Sequence, residues 1–364
     1  MTPLLRMDMD LSNFNARVRG LRGRLLKRPD YEALLVAGNL AEFAERIRGT
    51  PYGPYMEAAK ARRPSSGGAE GYAIFIEAAL ASSLSGAFEL LARAATKDAA
   101  RFFMAFMAGW EVYGIKTIIR GIAGGVKRDE ILPLLIPAGG LDMAAIKHLL
   151  AAKDVDDVIA FLDTWGLPYA EPLKRGLPEY KKSGSLAGME AGLDIFLYGH
   201  LRAVFKSRGR NETILRDMLR MRIDTVNIMT LMKTAGEGYA SDAVAGFFIE
   251  GGFNITKDEF ARLSWIKNRD ELASAAASVV GDAALGAMVS TADADDMNLL
   301  EEAFEELLEG RLRKTAVVEP LSIALAASYI GMKTREVKNL RLIARAKAFA
   351  IPVDEIKRNI FYPL

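Results

Sequence analysis

An acidic residue followed by an apolar run recurs three times in this chain at nearly constant spacing, and that recurrence constrains the fold more than any single motif. The copies are Glu111-x-x-Gly114-Ile115-x-x-Ile118-x-Arg120, Asp224-x-x-Asn227-Ile228-x-x-Leu231-x-Lys233 and Glu336-x-x-Asn339-Leu340-x-x-Ile343-x-Arg345, their first positions 113 and 112 residues apart. A unit of about 113 residues fits the 364-residue chain three times with a short remainder, and self-similarity at a fixed period is the mark of an internal repeat. Pro137 to Asp142, with its Gly139-Gly140 pair, is echoed by Ile249 to Asn254 with Gly251-Gly252. Asp142 and the aligned Asn254 both stand where a helix N-cap is expected. The stretch 152–162 resembles 37–47 and, more weakly, 266–277. The predicted organisation is three similar helical repeats, at residues 1–125, 126–238 and 239–364.

Apolar residues keep a helical period in almost every informative window. In the last copy Val337, Leu340, Ala344 and Ala348 form one stripe, while Lys338, Arg341 and Arg345 follow i, i+3, i+7 on another face. Alternating β-branched runs with hairpin turns are missing, so the expected class is all-α. Arg63 to Gly68 and Lys181 to Ser185 read as loops, Gly124-Gly125 and Gly236 to Gly238 as helix ends, and Ser290 to Asp296 as the third comparable loop.

Composition removes several functions. With 51% hydrophobic residues the chain can bury a large core. Forty-eight basic against 46 acidic residues leave a net charge near +2, which argues against a general nucleic-acid binder. No cysteine and only two histidines, His148 and His200, leave no thiolate chemistry and little for metals or acid–base work. Arg6, Asp8 and Asp10 interrupt the start, so a secretory signal is not expected. The longest uninterrupted apolar runs, Ala78 to Phe88 and Pro320 to Met332, fall short of the ~20 residues that span a bilayer.

On a helix the acid, the amide at i+3 and the apolar residues at i+4 and i+7 share a face. Glu111, Asp224, Asn227, Glu336 and Asn339 are therefore read as a structural signature, hydrogen bonding to helix ends of their own repeat because buried polar groups need partners. The i+9 residues Arg120, Lys233 and Arg345 point half a turn away, toward solvent or a partner, with Lys116 and Arg341 at i+5 nearby. Other candidates reduce to ordinary structure. The glycine stripe Gly184, Gly188, Gly192 reads as close helix packing, Asp154, Asp156 and Asp157 as helix-start residues, and His148 as a packed side chain. His200 has no evident acid–base partner. The basic stretch Arg17, Arg19, Arg22, Arg24, Lys27, Arg28 fits an amphipathic helix or a binding face. No Gly-x-x-x-x-Gly-Lys-Ser/Thr loop is present. No catalytic residue, metal site or cofactor is expected.

These residues also carry a resemblance. Phe14-Asn15-Ala16-Arg17-Val18-Arg19-x-Leu21, Thr50-Pro51-Tyr52, Ile223-Asp224-x-x-Asn227-Ile228, Gly251-Gly252 and Lys333-x-x-Glu336-Val337-x-Asn339-Leu340-Arg341-x-Ile343 occur in the order of the C subunit of archaeal and bacterial V/A-type rotary ATPases, equivalent to the d subunit of the eukaryotic vacuolar enzyme. The resemblance implies a funnel-shaped, all-helical subunit with pseudo-threefold symmetry, peripheral on the cytoplasmic side of the membrane. It implies a non-catalytic central-stalk socket that receives the shaft subunits D and F, rests on the proteolipid ring and transmits torque during ion-coupled ATP synthesis or hydrolysis. The repeated i+9 cation and its i+5 neighbours, rather than the resemblance, make Lys116, Arg120, Lys233, Arg341 and Arg345 the expected partner-interface residues. Gly114 replaces the family's usual Asn, and in the second copy Met229 and Met232 stand where a cation is expected.

Two other readings compete. A free-standing helical-repeat scaffold binding a protein or peptide in a concave groove would normally show repeats of about 30 to 50 residues. An all-α enzyme using paired carboxylates, such as Glu111 and Asp224, would need those side chains to converge.

Overall fold

The computed structural model describes residues 3–60, 68–95, 97–206, 209–235, 237–291, 297–358, 360 and 362. The loop expected over Arg63 to Gly68 lies almost wholly outside the described residues, as do Gly236 and most of Ser290 to Asp296. The described residues are helical with no strand; Ala138 and Leu141 form one isolated bridge.

Helix α1 (Pro3–Arg22) leads into α2 (Arg28–Leu35), α3 (Leu40–Arg48), α4 (Gly53–Lys60), α5 (Gly68–Ala94) and α6 (Lys97–Ala123). After α7 (Arg128–Ile131) and a 3-10 turn, the same succession of three shorter and two longer helices returns. Its members are α8 (Met143–Leu149), α9 (Val155–Thr164), α10 (Ala170–Ser183), α11 (Ala187–Val204) and α12 (Arg210–Thr234). Helix α13 (Ser241–Ala245) precedes α14 (Lys257–Leu263), α15 (Arg269–Val279), α16 (Ala283–Thr291), α17 (Met297–Val318) and α18 (Ala324–Ala348), and α19 (Val353–Arg358) follows. The element order thus recurs in step with the signature.

Capping explains where the short helices begin. Asn39, Asp142 and Asn268 each accept the N–H three residues on, and so does Asp154, whose role as a helix-start residue is seen directly. Asn254 is not the N-cap of its helix. That position belongs to Thr256, which forms a reciprocal capping box with Glu259, because the Asn254 side chain is occupied elsewhere. Gly125 and Gly184 take left-handed conformations just past α6 and α10.

The chain divides into two compact units. The first comprises Met1–Val158 with Ala326–Leu364, and its fully buried side chains include Phe14, Tyr31, Phe43, Tyr52 and Phe103. Phe14 meets Phe103 edge to face at 5.8 Å, and Phe88, Phe106 and Trp110 continue the aromatic packing between α5 and α6. Segments Gly71–Ala94 and Ala99–Ala123 have the length and apolarity of membrane spans once a few charges are tolerated, which uninterrupted runs do not reveal. Packing accounts for that hydropathy, since 61% and 56% of their most apolar windows lie buried in the protein. The second unit, Ile159–Leu325, is built on Ile228, Met232, Phe260, Leu263, Leu285, Val289 and Phe304. Helices α10 and α11 approach closely at Gly192, where a Cβ would come within 3.2 Å of Pro172 O, and at Gly176 against Met189. Of the predicted glycine stripe, Gly192 does the packing; Gly184 is the cap of α10 and Gly188 faces open space.

Candidate functional site

The three signature acids all bind loop backbone. On α12, buried Asp224 accepts the N–H groups of Phe253 (3.0 Å), Asn254 (3.0 Å) and Ile255 (3.2 Å), and the Asn254 amide at 2.8 Å. One turn on, Asn227 holds Ile249 by both its carbonyl (2.8 Å) and its N–H (3.0 Å). The carboxylate lies so close to the loop that a Cβ on Gly252 would sit 2.0 Å from Oδ1, and Gly251 adopts φ +106. Gly252 is therefore required by the approach of the acid, and Gly251 by its left-handed backbone, where a Cβ would also meet the Arg202 side chain. Burial raises the Asp224 carboxyl above its ordinary value, although the N–H groups of Ile255 and Phe253 and the Asn254 donors pull it back.

In the first copy half-buried Glu111 accepts the Gly140 N–H and packs on Gly139, which has φ +55. Gly114 offers no amide, and the loop instead closes on itself through reciprocal Ala138–Leu141 backbone bonds, with the Ser85 hydroxyl donating to Pro137 O. In the third copy Glu336 accepts the Leu26 N–H (2.5 Å), the Tyr52 hydroxyl (2.6 Å) and the Lys333 ammonium (3.0 Å). Lys333 also donates to the Tyr52 hydroxyl at 2.8 Å and lies 4.0 Å from the centre of its ring. Glu336 and Lys333 are 1% and 7% exposed, so this is a buried ion pair with nearly all its valences filled. Burial lowers the Lys333 ammonium against the pull of Glu336. Burial and then the Glu336 charge push Tyr52 and Tyr31 well above the usual tyrosine range, and the Asn339 amide faces Tyr31.

The acids bind helix starts outside the predicted ranges that hold them. Glu111 reaches Gly140, just before α8; Asp224 reaches residues 253–255, just before α14; Glu336 reaches Leu26, just before α2. In the ranges 1–125, 126–238 and 239–364, each clamp crosses into another range, the last into the first. Spacing sets the face of a helix but not which loop packs there. Lys333 and Tyr52 complete the third clamp; Lys333 at i−3 of Glu336 was the available signal, whereas Tyr52 is distant in sequence.

The cations lie on the other side of these helices. Arg120 and Lys233 are exposed and Lys116 is half-buried; Lys233 pairs with Glu301 at 2.9 Å. Arg345 grips buried Glu77 with two bonds, 2.5 and 3.0 Å, while 49% of its side chain stays exposed. Arg341 donates to Pro133 O at 2.8 Å, half-buried. Met229 belongs to the apolar core of the second unit, which explains why that copy has no cation there. Glu77 was legible only as a lone acid in the apolar run Ile74-Phe75-Ile76-Glu77.

Further candidates find ordinary places. His148 is exposed rather than packed, at the end of α8, and His200 stacks on Phe196. Arg17 and Arg19 are exposed while Val18 is buried, as on an amphipathic helix, but α1 ends at Arg22, so Arg24 lies in the turn that follows and Lys27 and Arg28 stand at the start of α2. Glu111 and Asp224 each hold their own loop.

Acids placed this way, with Tyr52 of the Thr50-Pro51-Tyr52 motif and Lys333 converging on Glu336, are among the residues on which the resemblance rested. The family of the ATP synthase (C/AC39) subunit matches residues 14–359. This chain is a member of the ATP synthase C/AC39 subunit family. It is 30% identical over 348 residues to the C subunit of the A-type ATP synthase of Halorubrum lacusprofundi, covering 95% of each chain. It is 29% identical to the equivalent protein of Methanothermobacter thermautotrophicus, over 94% of this chain and 86% of the relative. The C subunit of the V-type ATP synthase of Deinococcus radiodurans is 26% identical over 97% and 92%. Members of the C/AC39 family are accessory rather than catalytic subunits of the complex.

Proposed function

We propose that this C/AC39 member is the non-catalytic central-stalk socket of an A/V-type rotary ATP synthase, joining the shaft subunits D and F to the membrane proteolipid ring and passing torque between them. It sits peripherally on the cytoplasmic side of the membrane, held there by protein contacts. Its three repeats, 1–125, 126–238 and 239–364, form a funnel with pseudo-threefold symmetry around the seat of the shaft. The observation that carries this reading is the set of acid clamps. Each ties a long helix of one repeat to the loop opening another, and Glu336 fastens the end of the chain to its beginning at Leu26. A relay that transmits torque must not yield between its parts, and densely packed helices cross-tied by buried, hydrogen-bonded charges resist such yielding.

Lys116, Arg120, Lys233, Arg341 and Arg345 present positive charge for acidic surfaces of the shaft, giving steering and register. Two measurements test this. Affinity isolation of the tagged chain from its native membranes recovers shaft and proteolipid subunits; isolation without them refutes the socket. Arg120→Glu with Lys233→Glu weakens binding to purified shaft subunits and flattens its salt dependence; unchanged affinity removes these cations from the interface.

A further inference from the structure

Helices α17 and α18 are joined by a turn unlike the corresponding turns of the other two long pairs. Val317 and Val318 are 72% and 78% exposed, the highest values among the large apolar side chains of the described residues, and Leu321 beyond them is 45% exposed. Among the described residues of those turns, Ala95 after α5 is half-buried and Phe205 after α11 is buried. The apolar tip is also held in place. Glu319 pairs with Arg210 at 2.6 Å, Asn211 Oδ1 accepts the Ile323 N–H at 2.9 Å, and the Ser322 hydroxyl donates to Glu319 O. Two valines projecting from a braced turn are a preformed feature of the surface.

The surroundings are cationic. Exposed Lys314 and half-buried Arg313 lie one turn back on α17, and exposed Lys206 and Arg210 come from the adjoining turn between α11 and α12. Of the nearby acids, Glu319 is tied to Arg210, and Glu212 lies in the first turn of α12. We propose that this tip is a membrane-contact site for an anionic lipid surface, with Val317, Val318 and Leu321 entering the headgroup boundary and Lys206, Arg210, Arg313 and Lys314 meeting lipid phosphates. One signal alone holds a protein to a membrane only marginally, and apolar insertion with basic attraction supplies the two that stable attachment takes. The chemistry favours lipid over a protein partner. Protein interfaces draw on aromatic anchors in fitted pockets, with valine under-represented, whereas this tip projects three aliphatic side chains beside Lys206, Arg210, Arg313 and Lys314, with the acid Glu319 held by Arg210. The contact goes beyond the socket reading, and flotation with lipid vesicles needs neither shaft nor ring, so either can fail alone.

The experiment is flotation of the full chain with phosphatidylglycerol-containing vesicles and with pure phosphatidylcholine vesicles. The chain floats with the anionic vesicles and not with the neutral ones, and raised salt releases it. Val317→Ser with Val318→Ser lowers partition about tenfold or more. Lys206→Glu with Lys314→Glu lowers it about 25-fold or more, roughly fivefold for each charge. All four positions are partly or fully solvent-facing, and unchanged melting temperatures verify folding. Absence of binding, equal binding to neutral vesicles, or binding unaffected by both variants overturns the proposal. So does a chain that ignores vesicles yet binds purified proteolipid ring through Val317 and Val318, which makes the tip a protein contact.

Discussion

Replacing Asp224 by alanine removes the acceptor of three backbone N–H groups and one side-chain amide at once. A buried donor left without a partner costs about 1–3 kcal/mol. The sum over four donors overstates the loss, because Phe253 is 43% exposed and water can reach part of the loop, and because the desolvation cost of the buried charge disappears with it. A net destabilisation of about 3–5 kcal/mol follows, the upper range for one substitution. Asp224→Asn keeps the volume. Its single oxygen can serve Phe253 and Asn254, but its NH2 then faces the Ile255 N–H, for about 1–3 kcal/mol. In a unit of this size roughly 2–4 °C accompany each kcal/mol, so the alanine variant lowers the corresponding melting transition by roughly 10 °C. Hydrogen exchange reads the clamp directly: amides 253–255 lose about two orders of magnitude of protection or more. An alanine variant within about 1 kcal/mol of the parent, with those amides still slow, refutes the clamp.

Glu336→Ala leaves Lys333 buried and unpaired, at about 3–5 kcal/mol, whereas Lys333→Met with Glu336→Leu recovers the share due to the unpaired ammonium in urea unfolding, while the Leu26 N–H and Tyr52 hydroxyl stay without their acceptor; equal losses contradict the buried pair. Gly252→Ala costs about 1–3 kcal/mol because its Cβ would meet Asp224 Oδ1 at 2.0 Å, and a double-mutant cycle with Asp224→Ala shows coupling, whereas additive effects contradict the contact. pH separates two kinds of carboxylate. The Thr256 N–H and hydroxyl hold Glu259 below its ordinary value, so its stabilisation is present above that ordinary value and lost as pH falls through the lowered one. Asp224 is raised by burial, so its contribution is full below the ordinary aspartate value and lost as pH rises through the raised one. Unfolding midpoints across acidic pH therefore show the parent gaining on Glu259→Gln and losing ground to Asp224→Asn as pH rises; movement in the same direction contradicts the assignment.

The helices were legible because burial repeats with the helical turn: of the stripe Val337, Leu340, Ala344 and Ala348, the first three are each at most 1% exposed and Ala348, near the helix end, is half-buried. Asp224, Asn227, Glu336 and Asn339 were legible as structural polar groups for the same reason. Which loop each acid would hold was not, since Leu26 and Glu336 stand 310 positions apart and their meeting depends on the packing of whole helices. The N-cap at Thr256 was misplaced by two residues because the aligned Asn254 had been drawn into the Asp224 clamp. Gly114 was a visible departure, but only the Ala138–Leu141 closure and Ser85 explain how its loop holds without an amide. Arg345 could be placed opposite Glu336 by rotation alone; its grip on Glu77 joins helices far apart in sequence.

Whether this chain turns as part of the rotor decides the account most directly. With the assembled complex fixed to a surface through its catalytic head and a bead attached to this chain, the account predicts that added ATP drives the bead around together with the shaft. A bead that stays still while a bead on the shaft rotates contradicts it.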